Sequence, residues 1–180
     1  YYSMEYVDGE TLAKALERSA RSEVDSATPF GPLFSIDYFA QIARAFIDAA
    51  AGLHHAHTRG VIHLDVKPSN LILDPAGRLR ILDFGLARLE GQESLTLSSD
   101  VLGTPLYMSP EQAQREKIDV DHRSDIYSLG ATLYEACCAS PPQRGRDHAD
   151  TISQIIERDP VEPSKRNPRV PGELGTIILK

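Results

Sequence analysis

The sequence predicts an α+β domain, mainly α-helical, with small β-hairpins between the helices. Three features carry that expectation. The apolar residues Tyr38, Ile42, Phe46, Ala49, Leu53 and Ala56 recur at three- and four-residue steps, which lines them along one face of a long helix. Val61-Ile62, Leu71 to Leu73 and Leu79 to Leu82 are short β-prone runs, separated by the breakers Pro68 and Asp74-Pro75-Ala76-Gly77. From about Asp125 to Ala139 a second apolar stretch reads as a buried helix.

In chain order, Tyr1 to Val7 is rich in aromatic and β-branched residues and ends at Asp8-Gly9, so it reads as a strand entering a turn. A short helix is expected from Thr11 to about Ala20. Arg21 to Phe34 mixes charge with Pro29, Gly31 and Pro32 and reads as a surface insertion loop. The long helix follows from Ser35, and Gly60 stops it. Between Asp83 and Glu111 there is no clear periodicity, and long ordered loops inside compact domains are usually functional. Pro141 to Asp150 and Pro160 to Pro171 read as polar connectors, and the last residues resemble a helix cut short. Because Tyr1 to Val7 looks like a strand already under way, the expectation is a fragment, truncated at both ends.

Composition narrows the function classes. A length of 180 residues with 41% apolar content suits one globular domain. The balance of 26 acidic against 19 basic residues, a net charge of -7, has the wrong sign for binding nucleic acid. Cys137 and Cys138 are adjacent, where a bridge would be strained, and their spacing suggests no metal, so a reduced, cytoplasmic compartment is expected. No apolar run approaches the roughly 18 residues of a membrane span. His54, His55 and His57 read as helix-end surface residues rather than metal ligands, and His63 as a packed core histidine.

The chemistry concentrates in His63-Leu64-Asp65-Val66-Lys67-Pro68-Ser69-Asn70, which sets a carboxylate, an amine and an amide in one loop between two small strands. Asp83-Phe84-Gly85 adds a second carboxylate beside a flexible glycine. Phosphoryl transfer asks little covalent help of a protein. It needs a carboxylate to orient an alcohol and take its proton, oxygen ligands for magnesium, and a cation near the transferred oxygens. These residues supply each part.

The order His-x-Asp-x-Lys-Pro-x-Asn, then Asp-Phe-Gly, then Gly-Thr-x-x-Tyr-x-Ser-Pro-Glu resembles the catalytic lobe of the protein kinases along nearly the whole chain, and Met4-Glu5-Tyr6-Val7-Asp8-Gly9 resembles the hinge strand of the bacterial serine/threonine kinases of the eukaryotic (Hanks) type. The resemblance implies a protein-kinase-like fold, with residues 1–9 as the last strand of the N-terminal lobe and the hinge, and residues 10–180 as the C-terminal lobe, truncated at its end. The N-terminal lobe would be mostly absent. It implies ATP and Mg2+ as cofactors and protein serine or threonine hydroxyls as substrate. Asp65 would be the catalytic base, Lys67 would steady the γ-phosphate, Asn70 and Asp83 would hold magnesium, and the Thr104 hydroxyl would lie near Asp65 and Lys67. At the hinge, Met4 would be the gatekeeper, Glu5 and Val7 would read the adenine edge through their backbone groups, and Ile72 would form the floor beneath the ring. Lys67, placed two residues after the base, marks the serine/threonine branch.

The same resemblance makes Asp125 a buried helix carboxylate bonding the backbone around His63. It puts Ser94, Thr96, Ser98, Ser99 and Thr104 in an activation segment open to phosphorylation. The family often has Arg immediately before the base to receive such a phosphate; here Leu64 stands there, which removes no part of the chemistry. The final run, Leu174 to Lys180, would end just before the family's arginine that pairs with the Glu111 position, leaving that carboxylate unpaired. A Gly-rich loop, the strand lysine for the α- and β-phosphates and its helix glutamate are missing from these residues, so the fragment alone is expected to be inactive. The alternative from another class is a non-catalytic kinase-like scaffold.

Overall fold

In the computed structural model, residues 6–21, 30, 34–84, 88–89, 105–114 and 120–180 are described. Asp8-Gly9 leads into a two-residue strand β1 (Glu10–Thr11) and helix α1 (Leu12–Arg21), close to the helix expected from Thr11. Gly9 has a φ of 146°, and a Cβ there would stand 2.3 Å from the Leu73 carbonyl oxygen and 2.7 Å from Ile72 Cγ2. Only a glycine lets the chain approach so closely at that dihedral.

Helix α2 (Ile36–His57) is the long helix that the periodicity predicts. Ser35 caps it, its side chain accepting the Tyr38 N–H at 3.0 Å, and the buried stripe runs through Tyr38, Ile42, Ala45, Phe46, Ala49 and Leu53. Short strands form where the β-prone runs were expected: after strand β2 (Val61–Ile62), a 3-10 turn over Pro68–Asn70 leads to β3 (Leu71–Leu73) and β4 (Leu79–Ile81). β1, β3 and β4 form one antiparallel sheet in the order β1-β3-β4, with Leu71 opposite Ile81 and Thr11 opposite Ile72. β2 pairs separately with β5 (Arg88–Leu89). The predicted run to Leu82 ends one residue earlier, at Ile81, although the Leu82 N–H still donates to the Asn70 carbonyl at 2.8 Å.

After a 3-10 turn (Pro105–Tyr107) and the short α3 (Pro110–Ala113), helix α4 (His122–Cys138) begins three residues before the expected Asp125. The reason is its cap: the Asp121 carboxylate accepts the Arg123 N–H at 2.8 Å. α4 lies against α2, and the two are pinned where the Tyr38 hydroxyl donates to the Ala136 carbonyl at 2.7 Å. Two of its buried hydroxyls are satisfied within the helix, Ser128 donating to the Ser124 carbonyl and Thr132 to the Ser128 carbonyl. Helices α5 (His148–Glu157), α6 (Pro163–Arg166) and α7 (Gly172–Ile178) complete the order; α5 begins, and α6 lies wholly, inside stretches that read as connectors. For α5 the missed signal is Asp147, whose side chain accepts the Asp150 N–H at 2.8 Å.

The core is continuous between α1, α2, β3, β4 and α4, closed at one end by Val170 and Leu174. Cys137 is buried and Cys138 half-buried, and both are free thiols. Burial pushes the Cys137 thiol up to about 12 and the Cys138 thiol up to about 11, which keeps both protonated at neutral pH. Among the described residues no helix is long and apolar enough to cross a membrane.

The β3–β4 turn is held by one carboxylate. Asp74 accepts the N–H groups of Ala76 (2.9 Å) and Arg78 (3.0 Å) on Oδ1, and the side chains of Arg78 (3.0 Å) and Arg80 (3.3 Å) reach Oδ2. The Arg78 backbone hydrogen bond, followed by the two guanidinium groups, holds the Asp74 carboxyl at about 2. A folded-state value below the unfolded value of about 3.9 adds stability above that pH, and the gain fades as pH falls toward about 2. Asp74→Asn is therefore expected to be less stable than the parent at neutral pH, with the gap narrowing between about pH 4 and pH 2. Urea midpoints of the two proteins across that range test it; a gap unchanged at pH 2 contradicts it.

Candidate functional site

The loop between β2 and the Pro68–Asn70 turn is built backward from α4. Asp125 is completely buried, and its carboxylate accepts the His63 N–H on Oδ2 at 2.8 Å and the Leu64 N–H on Oδ1 at 2.7 Å. This is the contact that the resemblance implied for Asp125. His57 completes it: its Nε2–H donates to Asp125 Oδ2 at 2.7 Å. The expectation of His57 as a surface residue is thereby corrected. Its side chain is only 10% exposed, because the last turn of α2 runs against the first turn of α4 and a buried carboxylate there requires a donor. His54 and His55 are exposed as expected.

His63 is fully buried, as read from the sequence. Its Nδ1 accepts the Asp65 N–H at 3.2 Å and its Nε2 faces the Leu82 carbonyl at 2.9 Å. A backbone N–H only donates and a carbonyl only accepts, so the ring is neutral with its proton on Nε2. The Phe84 ring packs edge-on against it, with centroids 4.6 Å apart. Through this one imidazole the Asp65 backbone is tied to the segment that carries Asp83.

Asp65 lies at the centre of the polar cluster. Lys67 Nζ donates to both of its carboxylate oxygens, at 2.8 and 2.7 Å, and Asn70 Nδ2 donates to its carbonyl at 2.8 Å and to Oδ2 at 2.9 Å. The Lys67–Asp65 pair is part-exposed, with side chains 28% and 30% accessible, so a ligand can reach it. Leu82, bonded to both Asn70 and His63, places Asp83 at the edge of the same cluster with its side chain exposed. The sequence-predicted residues Asp65, Lys67 and Asn70 thus meet directly, and Asp83 joins them through its neighbour. Two residues flanking the cluster, Leu64 (φ 65°) and Asp83 (φ 57°), adopt left-handed backbone, which costs a non-glycine residue on the order of 1 kcal/mol or more and gathers at functional sites.

Asn70 turns its amide nitrogen toward Asp65, which directs its Oδ1 away from that carboxylate. The Asn70 amide oxygen and the exposed Asp83 carboxylate are hard oxygen donors, the chemical type that suits Mg2+.

At the hinge, Val7 is half-buried and Ile72 only 9% exposed. Ile72, on the central strand β3, packs against Gly9, two residues beyond Val7. Met4, Glu5 and Thr104 lie outside the described residues, as do Gly85 and the activation-segment residues Ser94, Thr96, Ser98 and Ser99.

Beside Pro68, a cleft of about 280 Å³ is lined by Phe34, Tyr38, Pro68, Tyr107, Glu135 and Ala139, among others. The Tyr107 hydroxyl donates to Glu135 Oε2 at 2.5 Å; burial, then this bond, raise the tyrosine, while burial is the main cause that raises the Glu135 carboxyl. Glu111, expected to lack the arginine that pairs with it, accepts the Ser124 hydroxyl at 2.5 Å.

Sequence reasoning missed Gln112. Ser109 caps α3 in a reciprocal capping box with Gln112, and the Gln112 amide Nε2 reaches across to the Leu64 carbonyl at 3.1 Å. The signal was present in Ser109-Pro110-Glu111-Gln112, a Ser followed three residues later by Gln with Pro at the first helical position.

The sequence model of the protein kinase domain matches residues 1–173. Among curated proteins, the chain is 38% identical over 182 aligned positions to the serine/threonine-protein kinase PknB of Mycolicibacterium smegmatis, which covers 100% of the chain and 26% of that relative. It is 36% identical to the PknB of Mycobacterium tuberculosis over the same span. It is 42% identical over 157 positions to the DNA damage-responsive serine/threonine-protein kinase RqkA of Deinococcus radiodurans, covering 84% of the chain and 23% of that protein. The chain spans about a quarter of the length of these relatives.

Proposed function

We propose, since the chain belongs to the protein kinase domain family, that the protein carrying it transfers the γ-phosphoryl group of ATP to serine or threonine hydroxyls of other proteins. The observation that carries the reading is the convergence of Lys67 and Asn70 on the Asp65 carboxylate, at an accessible position. Asp65 orients the substrate hydroxyl and accepts its proton at the carboxylate. Lys67, resting on that carboxylate, offers its ammonium to the moving phosphoryl oxygens. Asn70 and Asp83 would hold Mg2+, which when bound offsets phosphate charge. Asn70 also fixes the Asp65 side chain and backbone together, so the base keeps its direction as the hydroxyl arrives.

Val7, Glu5 and Met4 are the candidate adenine contacts, with Ile72 as floor, and Thr104 is the candidate substrate-side hydroxyl. The cleft lined by Pro68, the residue after Lys67, is the candidate path for a substrate chain. These 180 residues contain no Gly-rich phosphate loop, so negligible transfer is expected of them alone.

The test uses the full-length protein with labelled magnesium-ATP and a serine- and threonine-rich acceptor protein. Label recovered on serine or threonine, and lost when EDTA removes the metal, is the expected result. A folded, metal-loaded protein that labels no acceptor overturns the reading in favour of a scaffold.

A further inference from the structure

Leu64 directly precedes the proposed base and has a left-handed backbone, with φ at 65°. Leucine has no intrinsic preference for that conformation, so its neighbours must hold it there. The peptide is gripped on both sides. Its N–H donates to Asp125 Oδ1 at 2.7 Å, and its carbonyl accepts from Gln112 Nε2 at 3.1 Å. That carbonyl belongs to the same peptide plane as the Asp65 N–H, which donates to His63 Nδ1.

The orientation of the Gln112 amide is set by chemistry. Its Oε1 accepts the Ser109 N–H and the Ser109 hydroxyl, both at 3.1 Å, while its other end meets a carbonyl that can only accept. Ser109 is fully buried, so the amide is anchored at one end on a fixed residue. The segment holding Ser109 thus reaches the backbone of Asp65 through a single side chain, 48 residues away in sequence from the carbonyl it holds.

We propose that Gln112 is a positioning residue: its anchored amide holds the Leu64–Asp65 peptide plane and so aims the Asp65 carboxylate. The inference rests on the proposed role of Asp65 and goes beyond it, because it couples the α3 segment to the base by a neutral hydrogen bond. Asp65 then receives a fixed backbone from α3 and α4 together, in a chain whose residue before the base is Leu64 and cannot bind a phosphate.

Two variants of the full-length protein test this. Gln112→Glu keeps the shape and the Ser109 acceptor but sets a carboxylate oxygen against the Leu64 carbonyl. Gln112→Met keeps the volume and removes the bond without adding charge. In both, faster hydrogen exchange is expected at the Asp65 amide, while amides in the middle of α2, such as Phe46, keep the parent's protection. A fall in kcat of roughly 10- to 100-fold is expected, the scale of a misplaced reacting group, with KM for ATP unchanged. Unchanged exchange at Asp65 in either variant overturns the proposal, as does faster exchange with an unaltered kcat. A rise in KM for ATP with kcat intact also counts against it, since the residue would then serve binding. If the parent itself transfers no phosphate, the proposed function falls separately, and the exchange result still decides whether Gln112 holds the loop.

Discussion

Asp65→Asn is expected to lower kcat by roughly 10²–10⁴-fold, the usual contribution of a positioned general base, with the melting temperature of the protein nearly unchanged. The amide cannot take the hydroxyl proton. It also presents an NH2 group where Lys67 and Asn70 now both donate, since Oδ1 accepts from Lys67 and Oδ2 from Lys67 and Asn70. The site loses both its base and its orientation. Stability is spared because the side chain is part-exposed and its ion pair with Lys67 is solvent-screened, a kind of pair whose removal costs at most about 1 kcal/mol. Steady-state transfer of labelled phosphate beside a thermal melt makes the measurement. A variant that retains more than about a tenth of the parent's kcat would remove Asp65 from the role of base.

Asp125→Ala is expected to have the opposite signature, a large loss of stability that carries activity with it. Asp125 is fully buried and serves three donors, the N–H groups of His63 and Leu64 and the His57 ring. Truncation leaves all three facing a cavity. Each buried donor without a partner costs about 1–3 kcal/mol, and breaking a buried charge-bearing network costs about 3–5 kcal/mol. Against a domain stability of about 5–15 kcal/mol, the loss consumes a large share. For a domain of this size the melting temperature should fall by roughly 6–20 °C, measured by calorimetry on the full-length protein. A shift under about 2 °C would mean that the three donors find other partners.

The two predictions separate roles that a sequence motif merges. Asp65 and Asp125 are both acids bound to the same loop, yet one is accessible and the other sealed. The part-exposed acid is free to exchange partners with a substrate. The sealed one holds the loop from behind, and His57 and Gln112 extend that support from α2 and α3.

What the sequence determined by itself was everything carried by local pattern. The α2 stripe was legible because apolar side chains must fall on one face at 3.6 residues per turn, and its start was legible at Ser35. The strands around Pro68 and Gly77 were legible because breakers bound them, and Asp65, Lys67 and Asn70 were legible because a separation of five positions from first to last holds them in one loop. The tertiary structure alone decided the partners of polar groups far apart in the chain. His57 looked like one of three exposed histidines until α4 brought Asp125 to it across 68 residues. Gln112 carried no reading from the sequence, and only the fold set its amide against Leu64. The Ser124 hydroxyl that meets Glu111 had no sign in the sequence. A buried donor or acceptor must be satisfied by whatever packing brings near, and a periodic pattern records which face is buried without recording what meets it there.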